Sequence, residues 1–286
     1  MEEPDFLTSS TIAFIGLGLM GGSLALALRG KCKKIVGIDP DPASRIYALE
    51  QNIIDQASDD PDKILPQANI VILAAPVSAI IQWINQLPAH HPGEAIVIDL
   101  GSTKREILQA MNHLPSRFFP VGGHPVCGKE QISIRNADAD IFNQASFIFS
   151  PLKRTPEKAK QIALRLADAV GSIALWLTAD EHDRIMAATS HVPYLLASGL
   201  ALATSEDFGA YIGTGFRSTA RLAATPSSMM LDVLKSNRDN VALSLELIRN
   251  QIDLQLSALK AADFDQLQAK LDKSKQRINI LLRDLD

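Results

Sequence analysis

The chain has 286 residues, 47% of them hydrophobic and 21% charged, with a formal net charge of -4; at about 150 residues per domain this length predicts two domains able to bury cores without staples. Cys32 and Cys127 are too few for a disulfide framework or a structural zinc site, so a reducing, cytoplasmic setting is expected and no metal. The start, Met1 to Asp5, lacks the basic region of a signal peptide, no apolar run reaches the ~18 residues of a membrane span, and the single short basic cluster, Lys31 to Lys34, is too small a footprint for nucleic acid.

The first apolar run, Thr11 to Ile15, predicts a strand and leads directly into Gly16-Leu17-Gly18-Leu19-Met20-Gly21. In a turn between strand and helix, Gly16 permits the tight bend, Gly18 lets backbone amides approach a pyrophosphate, and Gly21 lets the helix pack on the sheet. Leu19 and Met20 belong to the helix N-terminus that faces the phosphates. The second run, Ile35 to Ile38, ends at Asp39, 21 residues beyond Gly18. A carboxylate there accepts hydrogen bonds from ribose hydroxyls and repels a 2′-phosphate, which favours NAD over NADP. Arg45 is the nearby cation that opposes this preference.

A third run, Ile70 to Leu73, ends in Ala74-Ala75-Pro76, a turn that either borders the nicotinamide through Ala75 and Pro76 or simply closes a strand. Ala95 to Ile98 is next, followed by Asp99-Leu100-Gly101-Ser102-Thr103-Lys104, where Ser102 either caps a helix or holds a ligand oxygen. A further strand leads to Gly122-Gly123-His124-Pro125. His124, on a rigid loop at the carboxyl end of the sheet, is either a base facing the nicotinamide crevice or a surface histidine. Ser146 to Phe149 and Ile173 to Leu177 bracket a helix near Pro156 to Val170. This alternation predicts a parallel sheet with helices on both faces, an α/β Rossmann-type dinucleotide-binding domain over residues 1–178.

From Asp180 the pattern becomes helical: 11 of the 16 glycines lie at or before Gly128 and none follows Gly215. An all-α C-terminal domain is expected over residues 179–286. His182 and Asp183 fall at a helix start, where helix-end electrostatics and domain docking are their expected work. Pro193 predicts a kink next to His191. Leucine and isoleucine recur from Leu243 to Leu259 beyond what one amphipathic face requires, so a homodimer through the C-terminal helices is expected, with internal bundle packing as the alternative.

Together the motifs resemble the prephenate and arogenate dehydrogenase family of tyrosine biosynthesis. The resemblance rests on Gly16 to Ser23, Asp99 to Lys104, Gly123 to Glu130, His182-Asp183, Ser190-His191-Val192-Pro193 and Gly215-Phe216-Arg217-Ser218-Thr219-Ala220-Arg221. It implies NAD-dependent oxidative decarboxylation of prephenate to 4-hydroxyphenylpyruvate, or of arogenate to tyrosine. It also implies that His124 and Ser102 act at the ring hydroxyl and that His191 and Arg221 line the side-chain and carboxylate end; Arg217, one helical turn before Arg221, is the second choice for the carboxylate, and Glu130 is expected to orient a loop or partner residue near the substrate. Ser218 and Ala220 depart from the family pattern, which puts the hydrogen bonding of Arg221 in doubt, and Lys129 stands where small or hydroxylated residues are usual. A β-hydroxyacid dehydrogenase shares the domain order but relies on a helical-domain lysine, and a nucleotide sensor would not need His124, Ser102, His191 and Arg221 together.

Overall fold

A computed structural model describes residues 6–129 and 133–283. The chain divides into two compact units, Met1–Arg238 and Asp239–Asp286. In the first, eight strands form one sheet: β1 (Thr11–Ile15), β2 (Lys34–Ile38), β3 (Gln56–Ser58), β4 (Ile70–Leu73), β5 (Ala95–Asp99), β6 (Phe118–Pro125), β7 (Ser146–Pro151) and β8 (Ile173–Trp176). Their order is 3-2-1-4-5-6-7-8, and every neighbouring pair is parallel except β6 with β7. The chain leaves β1 toward β2 and returns to β4 on its other side, which creates the crevice where such sheets bind ligands.

Helices α1 (Leu19–Ala27), α2 (Pro42–Glu50), α3 (Val77–His90), α4 (Arg105–Asn112) and α5 (Glu157–Ala169) cover the sheet. Strand alternation divides the core: Ile12 and Phe14 of β1 join Leu24 of α1 and Leu166 of α5, whereas Ala13 and Ile15 join Ile80 of α3 and Ile107 of α4. Both faces of β1 are therefore buried, the condition that makes its sequence a continuous apolar run.

The first unit continues through α6 (Ala179–Met186), a π-helical turn (Ala187–His191), α7 (Val192–Ala203), α8 (Thr214–Ala220), a 3-10 turn (Arg221–Ala224) and α9 (Ser227–Ser236). Thr178 and Glu181 close a reciprocal capping box at the start of α6. The π turn ends one residue before the helix that carries Pro193 near its start, so the bend expected at the proline is taken up as a widened turn. The helical run Ala179–Ala203 is long and apolar enough, by length and composition alone, to cross a membrane, with a mean hydropathy of 1.3 in its most apolar window. This corrects the expectation that no run reaches that length: small residues such as alanine, serine and glycine are weakly apolar singly, but Met186 to Ala203 contains no Asp, Glu, Lys or Arg. Here the run carries His182, Asp183 and His191, all buried. The second unit is built from α10 (Arg238–Lys260), all but its first residue, and α11 (Phe264–Leu281).

Candidate active site

The turn after β1 has the geometry its glycines require. Gly16 adopts φ +101° and donates from its amide to Ile38 O at 2.8 Å. A Cβ on Gly16 would stand 2.3 Å from Ala74 O, and one on Gly21 would stand 2.1 Å from Gly16 O. Both approaches are backbone to backbone, so no side-chain motion relieves them. Gly18 precedes the first turn of α1, which Leu19 and Met20 open. Asp39, just past β2, spends its carboxylate on this turn: it accepts from Leu17 N at 2.7 Å and from Asp41 N at 2.8 Å. Arg45 donates to the carbonyls of Asp39 (2.5 Å) and Pro40 (3.1 Å) and pairs with Asp59 at 3.2 Å. Its guanidinium is thus tied to acceptors of this chain.

A cavity of about 500 Å³ opens beside the turn. Gly18, Leu19, Met20, Ala75, Pro76 and Ser102 are among its lining residues. The turn and the cavity fit a dinucleotide: Gly16 and Gly21 let strand, turn and helix close on one another, Gly18 lines the cavity without a side chain, and an apolar pocket follows at the switch point of the sheet.

Ser102 does not cap the helix after it. The first amides of α4 are satisfied from a distant segment instead, with Asp183 accepting from Lys104 N at 2.6 Å and from Arg105 N at 3.0 Å. The capping reading of Ser102 is thereby set aside, and Ser102 lines the cavity.

His124 is not on a loop, contrary to the sequence expectation. It lies within β6, opposite Ile148, because the antiparallel strand β7 extends the ladder as far as Pro125. Asp99, fully buried at the end of β5, accepts from Gly101 N at 2.8 Å and from Gly123 N at 3.1 Å, so one carboxylate pins the segments that carry Ser102 and His124. The ammonium of the equally buried Lys104 pairs with Asp99. Burial, together with the neighbouring carboxylates acting in the opposite direction, leaves the Lys104 ammonium below its usual range.

Behind His124 runs a chain of buried groups that the sequence did not reveal. Nδ1 of His124 is 2.8 Å from Nε2 of His182, and Nδ1 of His182 is 2.8 Å from Oδ1 of Asp183. Burial depresses both imidazoles, and His182, Lys104 and His191 push His124 further, well below the usual histidine range. Burial alone would raise the Asp183 carboxyl; hydrogen bonds from His182, Arg105 and Lys104 outweigh it and hold the group ionised.

His191, at the end of the π turn, is 1% exposed. Asn237 donates to Asp183 O at 2.7 Å and lies 3.2 Å from Nδ1 of His191. With Nδ1 accepting, Nε2 carries the hydrogen, and it has no partner among the described residues. A buried donor of this kind is costly unless a ligand oxygen meets it. Burial lowers the His191 pKa to about 4.

The sequence profile of the prephenate dehydrogenase nucleotide-binding domain matches residues 24–174, and that of the prephenate dehydrogenase dimerization domain matches residues 178–273. The chain belongs to the prephenate dehydrogenase family. The prephenate dehydrogenase of Bacillus subtilis is 31% identical over 81% of this chain and 65% of its own length, so the chain spans about two thirds of that relative. The cyclohexadienyl dehydrogenase of Zymomonas mobilis is 26% identical over 96% of this chain and 97% of its own. The prephenate dehydrogenase of Aquifex aeolicus, solved with hydroxyphenyl propionate and NAD+, superposes with a TM-score of 0.89 at 26% identity over 96% of this chain and 100% of its own.

Against the family's motif, the glycine turn, Ala75, Pro76 and Ser102 come together at one cavity, and His124 is joined to it through the carboxylate that also holds Gly101. Arg217 on α8 and Arg221 at the start of the 3-10 turn are exposed and lie outside the cavity lining. Glu130 lies outside the described residues. Residues that sequence reading left without a site role are Asn237, for which no local pattern gives a signal, and Asp99, Lys104, His182 and Asp183, for which membership of a family block was the one available clue.

Proposed function

We propose that this chain is an NAD-dependent dehydrogenase that oxidatively decarboxylates prephenate to 4-hydroxyphenylpyruvate. The observation that carries the reading is the pairing made by Asp99: one buried carboxylate fixes the segments bearing a cavity-lining hydroxyl, Ser102, and a neutral imidazole, His124, beside a glycine turn. Family membership and the NAD+-bound Aquifex relative support it.

In this reading Gly16, Gly18, Leu19, Met20 and Gly21 hold the pyrophosphate, Asp39 the ribose, and Ala75 and Pro76 border the reacting end. NAD, when bound, supplies the hydride acceptor. His124, uncharged at neutral pH, takes the ring hydroxyl proton while Ser102 orients that hydroxyl. With proton and hydride gone the ring carbon becomes a carbonyl, and loss of carbon dioxide sends an electron pair to its oxygen. The phenol product bears a hydrogen on that oxygen, so His124 returns the proton it took. The unpartnered Nε2–H of His191 donates to a substrate oxygen, and Arg221, with Arg217 as second choice, meets a carboxylate.

We also propose a homodimer through α10 and α11, whose Leu247, Phe264 and Ile280 are 60%, 63% and 71% exposed, working in the cytoplasm with both cysteines free. The name of the Zymomonas relative keeps arogenate, a second cyclohexadienyl acid, as the alternative substrate. Formation of NADH is followed with prephenate, arogenate and a 3-hydroxyacid, with NAD and NADP compared. His124→Asn is expected to lower turnover by about 10² to 10⁴ with NAD affinity intact. Silence toward both cyclohexadienyl acids overturns the reading.

A further inference from the structure

We infer that His182 and Asp183 are positioning residues that fix His124 in one tautomer, with its Nδ1 bearing the hydrogen and its Nε2 lone pair turned outward. The inference deepens the proposed activity and rests on His124 being its base. The argument follows the hydrogen atoms along the chain. Asp183 takes hydrogen bonds from Lys104 N, Arg105 N and the His182 ring on its carboxylate, and from Asn237 and Ala187 N on its carbonyl. An ionised carboxylate only accepts, so His182 must present a hydrogen from Nδ1. His182 is fully buried and held toward its neutral form, so its Nε2 keeps a lone pair. Across 2.8 Å that lone pair can only accept, and His124 must donate from Nδ1. One ring nitrogen then remains on His124 without a hydrogen: Nε2.

Free histidine prefers the opposite tautomer, in which Nε2 carries the hydrogen and offers a substrate hydroxyl a donor instead of a base. The two-residue relay reverses that preference. A lone carboxylate beside His124 would also favour Nδ1–H, but would bring a charge into direct contact with the base. Interposing a neutral imidazole moves the charge one ring away while preserving the hydrogen-bond direction, so His124 stays uncharged between turnovers. Because the carboxylate also holds the amides of Lys104 and Arg105, it sets the tautomer of the base and the start of α4, just after Ser102, from a single point.

The test has two arms on the full chain. The first is long-range ¹H–¹⁵N NMR of histidine-labelled protein without cofactor at pH 7, with His124 assigned by the signal lost in His124→Asn. The expected result is the Nδ1–H tautomer at His124; an Nε2–H tautomer or an imidazolium there overturns the inference. The second arm is kinetic. His182→Leu removes the acceptor and is expected to lower kcat about 10- to 100-fold with KM for NAD unchanged. His182→Gln, whose amide oxygen can accept from Nδ1, is expected to recover most of that loss and to keep the Nδ1–H signal. Equal loss in both variants, or no loss in His182→Leu, overturns the relay. Should the leucine variant fail to fold, the glutamine variant and the wild-type tautomer still decide. A wild-type chain inactive on every cyclohexadienyl acid would sink the proposed activity, while the tautomer is read independently of it.

Discussion

Replacing Lys104 by methionine isolates the part played by the buried ion pair under the segments that carry Ser102 and His124. Lys104 and Asp99 are both 0% exposed, and Asp99 is the hydrogen-bond partner of the ammonium. Methionine fills nearly the same volume, so the packing change is small and the main effect is a carboxylate left buried with only the amides of Gly101 and Gly123 for compensation. Removing one partner of a buried pair typically costs about 3–5 kcal/mol. At about 2–4 °C per kcal/mol for a unit of this size, the melting temperature should fall by roughly 6 to 20 °C. Thermal unfolding followed by circular dichroism measures it. The coupling of a second change provides the control: Asp99→Asn turns one acceptor of a backbone amide into a donor in either background, but only in the wild type does it also leave a buried ammonium unpaired, so it should destabilise the wild type more than the Lys104→Met background. A fall below about 2 °C on Lys104→Met, or equal losses from Asp99→Asn in both backgrounds, would refute the account.

Gly21→Ala should weaken NAD binding at least about 100-fold by calorimetric titration, because its Cβ meets Gly16 O at 2.1 Å and backbone must move. Asp39→Ala removes the acceptor for Leu17 N and should weaken NAD by about 10- to 100-fold while narrowing its advantage over NADP; unchanged discrimination would mean that another group excludes the 2′-phosphate. His191, lowered by burial to about 4 from 6.5, binds a proton less readily folded than unfolded. Its contribution is therefore intact above pH 6.5 and lost as pH falls toward 4, by roughly 3 kcal/mol, and His191→Gln should flatten acid unfolding across that window.

The strands were legible because burial on both faces imposes unbroken apolar sequence, as in Thr11 to Ile15 and Ile70 to Leu73. The strand missed, β3, is the reverse case: Gln56, Ala57 and Ser58 are all partly exposed at the sheet edge, where no apolar run is required. The glycine turn was legible because its constraint is steric and local. The position of His124 in a strand was not, since β7 supplies the pairing from residues after 145. Nor was the cap of α4, which Asp183 provides across 79 positions of sequence. Local signals report local physics; a buried carboxylate that gathers amides from two segments, as Asp99 does, leaves no periodicity behind.

The same burial that makes the histidines good hydrogen-bonding groups removes them as sources of positive charge. His124 and His182 are depressed and His191 is near 4, so at neutral pH the cluster, buried except for the partly exposed His124, contains three neutral rings, two carboxylates and Lys104, whose charge is taken up by Asp99. A dianionic substrate gains nothing from that inventory, and the chain's net charge of -4 repels it. Charge attraction would then come from exposed cations: Lys129 lines the cavity but pairs with Asp138 at 2.9 Å, whereas Arg217 and Arg221 lie on neighbouring short helices. If Arg221 is the carboxylate clamp, Arg221→Ala should raise the substrate KM by about 10- to 100-fold, since a hydrogen bond to a charged group contributes about 1.5–3 kcal/mol, while leaving kcat within a few-fold. Because the lost term is partly screened attraction, the difference from wild type should shrink as ionic strength rises. An unchanged KM in Arg221→Ala with a raised one in Arg217→Ala would transfer the clamp by one helical turn; unchanged values in both would mean that the dianion is held by hydrogen bonds to neutral groups, with Nε2 of His191 foremost.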